Sequence, residues 1–182
     1  MKGFLHTRLA AMCALTALLA AVPSLRAQAV SPGQMAPELQ LPTEDGKTIS
    51  LSALKGHVVL VDFWASWCPP CKASFPALDR LYSELHARGF DVIAVNLDER
   101  ERDAEDFLAE RPHEMPVVFD PAGRSPRAFG LYGMPSSFLV GRDGRIRFVH
   151  VGYSEKVLES YRREIEQLLA EPQGTGNRGE QQ

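Results

Sequence analysis

Cysteine is scarce: Cys13, Cys68 and Cys71 are the whole complement of 182 residues. So few thiols, two of them three positions apart, exclude a framework of disulfides stapling loops together. Closing so short a loop gains little stability, so the close pair is poorly suited to a structural brace. An excess of basic charge is missing too. Lys and Arg number 20 against 23 Asp and Glu, a formal charge of −3, which argues against nucleic acid or an anionic membrane surface as a partner. Long apolar runs are absent: the uncharged stretch Leu9–Val22 falls short of the roughly 20 residues a spanning helix needs. There are no internal repeats, and no long basic or apolar stretch argues for a dimer, so a monomer is expected. The histidines His57, His86, His113 and His150 are scattered along the chain. They read as surface or internally satisfied residues, and no metal site is expected.

The N-terminus carries a leader pattern. Lys2, His6 and Arg8 precede the apolar stretch, and Ala27-Gln28-Ala29 is a small-x-small cleavage site, so Met1–Ala29 reads as a signal peptide cut after Ala29. An uncleaved membrane anchor is the alternative, disfavoured by the short run. Cys13 lies too early, inside the apolar stretch, for a lipoprotein signal. The leader holds Lys2, Arg8 and Arg26 and no acid, so its removal takes the formal charge from −3 to about −6. It also takes Cys13, leaving Cys68 and Cys71 as the only thiols. Residues 30–170 fit one domain by length. The polar, Gln- and Gly-rich residues 171–182 read as a disordered tail.

The remaining chain is organised around Val58–Lys72. Val58-Val59-Leu60-Val61 is an apolar, β-branched run suited to a strand covered on both faces. Pro69 suits the first position of a helix, where its missing N–H would be unpaired anyway. Cys68 therefore falls at a helix N-terminus, where partial positive charge favours a thiolate. Cys71 lies about one helical turn below it. The first sulfur is placed to attack, and the second, covered, to resolve.

Trp67-Cys68-Pro69-Pro70-Cys71-Lys72 resembles the active site of the thioredoxin superfamily. Asp62, six residues before Cys68, matches that fold's buried acid, and Pro76 the proline inside its first long helix. Gly133-Met134-Pro135-Ser136 resembles its cis-proline loop. The resemblance implies an α/β thioredoxin fold, a central mixed β-sheet flanked by helices, over roughly Ala36–Leu169.

Two additions narrow it. Glu38–Leu41 and Lys47–Leu51 alternate polar and apolar residues around Glu44-Asp45-Gly46 and read as a β-hairpin. Between the central strands Asp91–Leu97 and Ser137–Val140, a charged helix at Glu99–Arg111, a strand at Pro116–Phe119 and a short helix at Ser125–Phe129 form an insertion. Both features resemble the TlpA/ResA family of exported thiol–disulfide proteins. The first long helix is expected over Pro69–Arg88 with Gly89 as its C-cap. A second hairpin, Ser137–Val140 with Arg145–Val149, and a last amphipathic helix, Glu155–Leu169, complete the expected fold.

A free cysteine pKa near 8.5 leaves little thiolate at neutral pH, so Cys68 at the helix end is the expected nucleophile. Cys71 then attacks the mixed disulfide and releases reduced substrate. Burial raises a thiol pKa, so Cys71 needs a base, and Asp62 is the candidate. TlpA/ResA relatives commonly carry a glutamate where this chain has Ser74, which leaves Asp62 as the acid available to the pair. Trp67, Met134 and Pro135 are the expected substrate-binding residues, with a cis bond before Pro135 presenting the Met134 backbone beside Cys68. Trp64 is expected to be structural.

Pro69 and Pro70 cannot donate an N–H to the Cys68 thiolate. Lacking those donors, the protein is expected toward the reducing end of the scale, below about −180 mV. The resemblance thus implies a periplasmic disulfide reductase that uses no metal or organic cofactor and acts on disulfide-containing proteins. Its roles would include cytochrome c maturation or envelope thiol homeostasis. The oxidising periplasm then requires a membrane electron donor, of the DsbD type by resemblance. The rival readings are a copper-binding chaperone using both sulfurs as soft ligands, a disulfide-forming oxidase, and a thiol peroxidase. Trp64-Ala65-Ser66-Trp67 does not supply the Thr-x-x-Cys pattern of the last.

Overall fold

The computed structural model describes residues 29–172. The expected leader up to residue 28 and the expected tail from residue 173 lie outside the described residues. The chain first forms strands β1 (Gln40–Pro42) and β2 (Thr48–Ser50), paired antiparallel as a small separate sheet. A 3₁₀ turn at Leu51–Leu54 leads into β3 (Val58–Trp64), whose every residue is buried. Helix α1 (Pro69–Leu85) follows, then a 3₁₀ turn at His86–Arg88 and β4 (Phe90–Asn96). The expected single helix to Arg88 thus tightens over its last turn. Gly89 closes it at φ 89°, a left-handed backbone that glycine adopts without a Cβ clash.

The insertion contains α2 (Glu101–Ala109), β5 (Val117–Phe119) and α3 (Arg124–Phe129). Strands β6 (Ser136–Val140) and β7 (Ile146–Val151) then form the second hairpin, and α4 (Glu155–Ala170) ends the described fold. The main sheet has the order β5-β4-β3-β6-β7. The β3, β4 and β5 neighbours run parallel, whereas β6 is antiparallel to β3 and β7 antiparallel to β6.

Alternation along β3 sends its side chains to two cores. Val58, Leu60 and Trp64 meet Cys71, Phe75 and Leu78 of α1, Phe107 of α2 and Ile165 of α4. Val59, Val61 and Phe63 face the opposite way, onto Leu39, Leu51 and Phe129. Helices α1, α2 and α4 therefore cover one face of the sheet, and the N-terminal segment with α3 covers the other. Among the described residues no helix is long and apolar enough to cross a membrane.

Candidate active site

β3 ends at Trp64, and after three intervening residues the chain enters α1 with Cys68 as its N-cap. Cys68 has an extended backbone (φ −95°, ψ 105°), as a cap residue does. Its Sγ accepts the N–H of Cys71 at 3.3 Å. The proline pair removes two amides from this end of the helix, but the next amide reaches the sulfur, the position a capping side chain normally serves. Cys68 and Cys71 are joined by a disulfide, with their Cα atoms 5.3 Å apart. Cys71 is fully enclosed, and Cys68 keeps 4% of its surface.

The turn before Cys68 is fixed by a residue that sequence reasoning missed. Asp98, just beyond β4, is buried and accepts the backbone N–H of Ser66 at 2.9 Å and its hydroxyl at 3.0 Å. The Asn96 amide donates to it at 2.8 Å. Asp62 is therefore not the only buried carboxylate at this edge of the sheet. Two polar residues, Asn96 and Asp98, following the apolar run Val92–Val95 were the available signal.

Cys68 opens onto a groove of about 590 Å³ whose walls include Trp67, Pro69, Pro70 and Met134. Trp67, 65% exposed, lines the groove beside Cys68. Met134 precedes Pro135 through a cis peptide bond. Pro135 itself is buried and does not line the groove; its carbonyl accepts the N–H of Gly152 at 2.8 Å. Leu97 just after β4, Pro126 within α3 and Leu131 just after α3 complete the lining, residues that the sequence did not single out.

Asp62 points to the face that α1 covers, buried with 2% of its surface left. It stands opposite Ser137 in the β3–β6 register, and the Ser137 hydroxyl donates to Asp62 Oδ1 at 2.5 Å. Burial pushes the Asp62 pKa from 3.8 up to about 7, while the Ser137 hydrogen bond pulls it down. The hydroxyls of Ser137 and Tyr161 lie 2.6 Å apart. Burial, followed by the nearby Asp62 charge, raises the Tyr161 phenol above its usual value. Ser74 is buried and donates to the Cys71 carbonyl at 2.9 Å, spending its hydroxyl on the helix backbone.

Each histidine among the described residues meets a carboxylate: His57 and His86 on Asp91, His113 on Glu44, His150 on Glu164. No group of three or more His, Cys, Asp or Glu side chains gathers as a metal ligand set among the described residues.

The model of the Redoxin family matches residues 31–169, most of the described chain. The chain belongs to the Redoxin family. As a Redoxin protein it is 32% identical over 135 residues to the thiol-disulfide oxidoreductase ResA of Bacillus subtilis, covering 74% of this chain and 75% of that protein. It superposes with a TM-score of 0.75 on a Chlorobium tepidum structure assigned as the thiol:disulfide interchange protein DsbE. That match is 43% identical and covers 78% of this chain and all of the other. The exposed lipoprotein thioredoxin of Streptococcus pneumoniae strain TIGR4 matches with a TM-score of 0.65 and 28% identity, over 72% of this chain and 100% of that one. This Redoxin protein is TlpA/ResA-like and carries the thioredoxin-type fold with the N-terminal hairpin and central insertion. With a Cys68–Cys71 disulfide at the groove, it is a thiol–disulfide oxidoreductase.

Proposed function

We propose that this oxidoreductase reduces protein disulfides outside the cytoplasm, in the periplasm, by a two-step exchange at Cys68 and Cys71. The observation that carries the reading is the asymmetry of the pair: Cys68 lines the open groove and Cys71 is enclosed beneath it. In the dithiol form, the Cys68 thiolate attacks a substrate disulfide. One substrate sulfur leaves with the electron pair, and a mixed disulfide forms. Cys71 transfers its proton to Asp62 and attacks Cys68. The Cys68–Cys71 bond closes, and the second substrate sulfur departs and is protonated. Two electrons pass from the protein to the substrate.

Trp67 and Met134 hold the polypeptide beside Cys68, and Pro135 shapes the loop that presents Met134. Burial supports Asp62 as the base: a carboxyl with a pKa near 7 is suited both to take and to return a proton near neutral pH. The chemistry needs no metal or organic cofactor. A membrane donor of the DsbD type restores the dithiol, and the protein works as a monomer. Export is supported by the leader pattern and by the pneumococcal relative, which is itself an exposed lipoprotein. Cytochrome c maturation or general envelope thiol homeostasis are the roles open to it.

Insulin reduction with single-cysteine variants tests the exchange. Cys71→Ser is expected to accumulate a mixed disulfide through Cys68 without turnover. Cys68→Ser is expected to form none. Mixed disulfides trapped through Cys71 in Cys68→Ser, and not through Cys68, would reverse the assignment.

A further inference from the structure

Asp62, Ser137 and His150 are successive cross-strand partners on β3, β6 and β7, so their side chains project to one face of the sheet. Helix α4 lies over that face and adds Tyr161 and Glu164. The Ser137 oxygen stands 2.5 Å from Asp62 Oδ1 and 2.6 Å from the Tyr161 oxygen. All three residues are buried. The titratable groups around this row are Tyr161 and Glu164 of α4, His150 of β7 on Glu164 at 2.7 Å, Tyr153 just after β7, and the Cys71 thiol of α1 when reduced.

A hydroxyl both donates and accepts, with a single hydrogen free to rotate. When Asp62 is a carboxylate, Ser137 donates to it and Tyr161 donates to Ser137. When Asp62 is protonated, its own O–H donates to Ser137, whose hydrogen turns toward Tyr161. The heavy atoms stay in place. A donor-only group such as an ammonium at position 137 would suit the charged state and leave the neutral one mismatched. In a dry site a mismatched polar group is costly, so a carboxyl that must change state there needs a reversible partner.

We propose that Ser137 and Tyr161 are positioning residues that hold Asp62 in a single orientation in both its protonation states, reversing their hydrogen bonds as the proton comes and goes. The proposal rests on the reading of Asp62 as the base for Cys71. The proton leaves the Cys71 thiol for Asp62. The Cys71 thiolate forms the bond to Cys68 as the Cys68–substrate bond breaks. The departing substrate sulfur takes the electron pair and then the proton that Asp62 held. At the end Asp62 is a carboxylate again, with Ser137 donating to it.

The test is a ¹³C NMR titration of the Asp62 carboxyl in the oxidised protein. Ser137→Ala removes a partner from both states, but the bond to the carboxylate is charge-assisted and the stronger of the two, so the Asp62 midpoint is expected to rise by about one pH unit. Ser137→Thr, which keeps the hydroxyl, is expected to restore it. Tyr161→Phe is expected to shift it the same way by less, because it removes only the second hydroxyl. An Asp62 midpoint unmoved in Ser137→Ala overturns the proposal; should that variant fail to fold, an unmoved midpoint in Tyr161→Phe does the same. The underlying reading is judged separately, from the rate at which Asp62→Asn releases substrate from the mixed disulfide. Release at the wild-type rate removes Asp62 as the base, while the titration still decides whether the hydroxyl pair governs its protonation.

Discussion

Asp98 holds Ser66 by two hydrogen bonds, one to its backbone N–H at 2.9 Å and one to its hydroxyl at 3.0 Å. Through them a buried carboxylate from the end of β4 pins the turn that delivers Cys68 to the tip of α1. Asp98→Ala leaves three donors without their acceptor, two on Ser66 and one on Asn96. It is expected to cost about 2–4 kcal/mol in urea unfolding. Amide exchange is expected to accelerate most at Ser66. A loss below about 0.5 kcal/mol, with Ser66 still protected, would show the turn to be held by its own packing.

Asp62 makes stability depend on pH. Its folded pKa of about 7 stands above the ordinary 3.8, so folding opposes its ionisation. Below about pH 4 the carboxyl is neutral in both folded and unfolded chains, and there is no penalty. Between about pH 4 and 7 the unfolded chain releases the proton while the folded one keeps it, so this contribution to stability falls as pH rises. Above about pH 7 the penalty is complete. Asp62→Asn removes it, and the variant is expected to exceed the wild type by about 3–4 kcal/mol at pH 8. Near pH 4 the two are expected to match. Denaturant midpoints at both pH values check this; equal stability at pH 8 would mean that Asp62 ionises freely in the folded protein.

The apolar lining of the groove beside Cys68 is expected to set affinity for polypeptides. Leu131 is partly buried and lines the groove together with Pro126 and Cys68. Leu131→Asp places a charge on an apolar wall and is expected to raise KM for insulin about tenfold. A cost of about 1.4 kcal/mol corresponds to that factor, and it is within reach of losing one apolar contact. Turnover of a small disulfide such as cystine is expected to change less than twofold. An equal loss on both substrates would place the defect at Cys68 rather than in recognition.

The sequence made the fold legible wherever a local rule acts alone. The β-branched run Val58–Val61 is a central strand, Pro69 opens a helix, Gly89 closes one, and the Asp-Gly pair at Asp143–Gly144 turns a hairpin. Cys68, Cys71, Asp62 and the Met134-Pro135 loop came from spacing and family resemblance; the structure places Cys68 and Met134 on one groove and buries Asp62 within β3. What stayed hidden depends on tertiary register. Ser137 became the partner of Asp62 only when β6 paired antiparallel with β3. Nothing local to the amphipathic helix Glu155–Leu169 shows that the Tyr161 hydroxyl meets Ser137. Leu131 and Pro126 join the groove across a distance that no periodicity measures. The Cys71 amide on Cys68 Sγ follows the capping rule, because the third amide of the helix is free to reach a cap even where two prolines supply none.

Whether the Cys68–Cys71 pair works as a reductant is read from its reduction potential. With Pro69 and Pro70 supplying no amide and Cys71 supplying one, the Cys68 thiolate has few donors to stabilise the reduced form. Equilibration against glutathione redox buffers is expected to give a value below about −180 mV, with insulin turnover alongside. A value near about −120 mV, with poor insulin turnover, would contradict the account and make the protein a disulfide-forming oxidase.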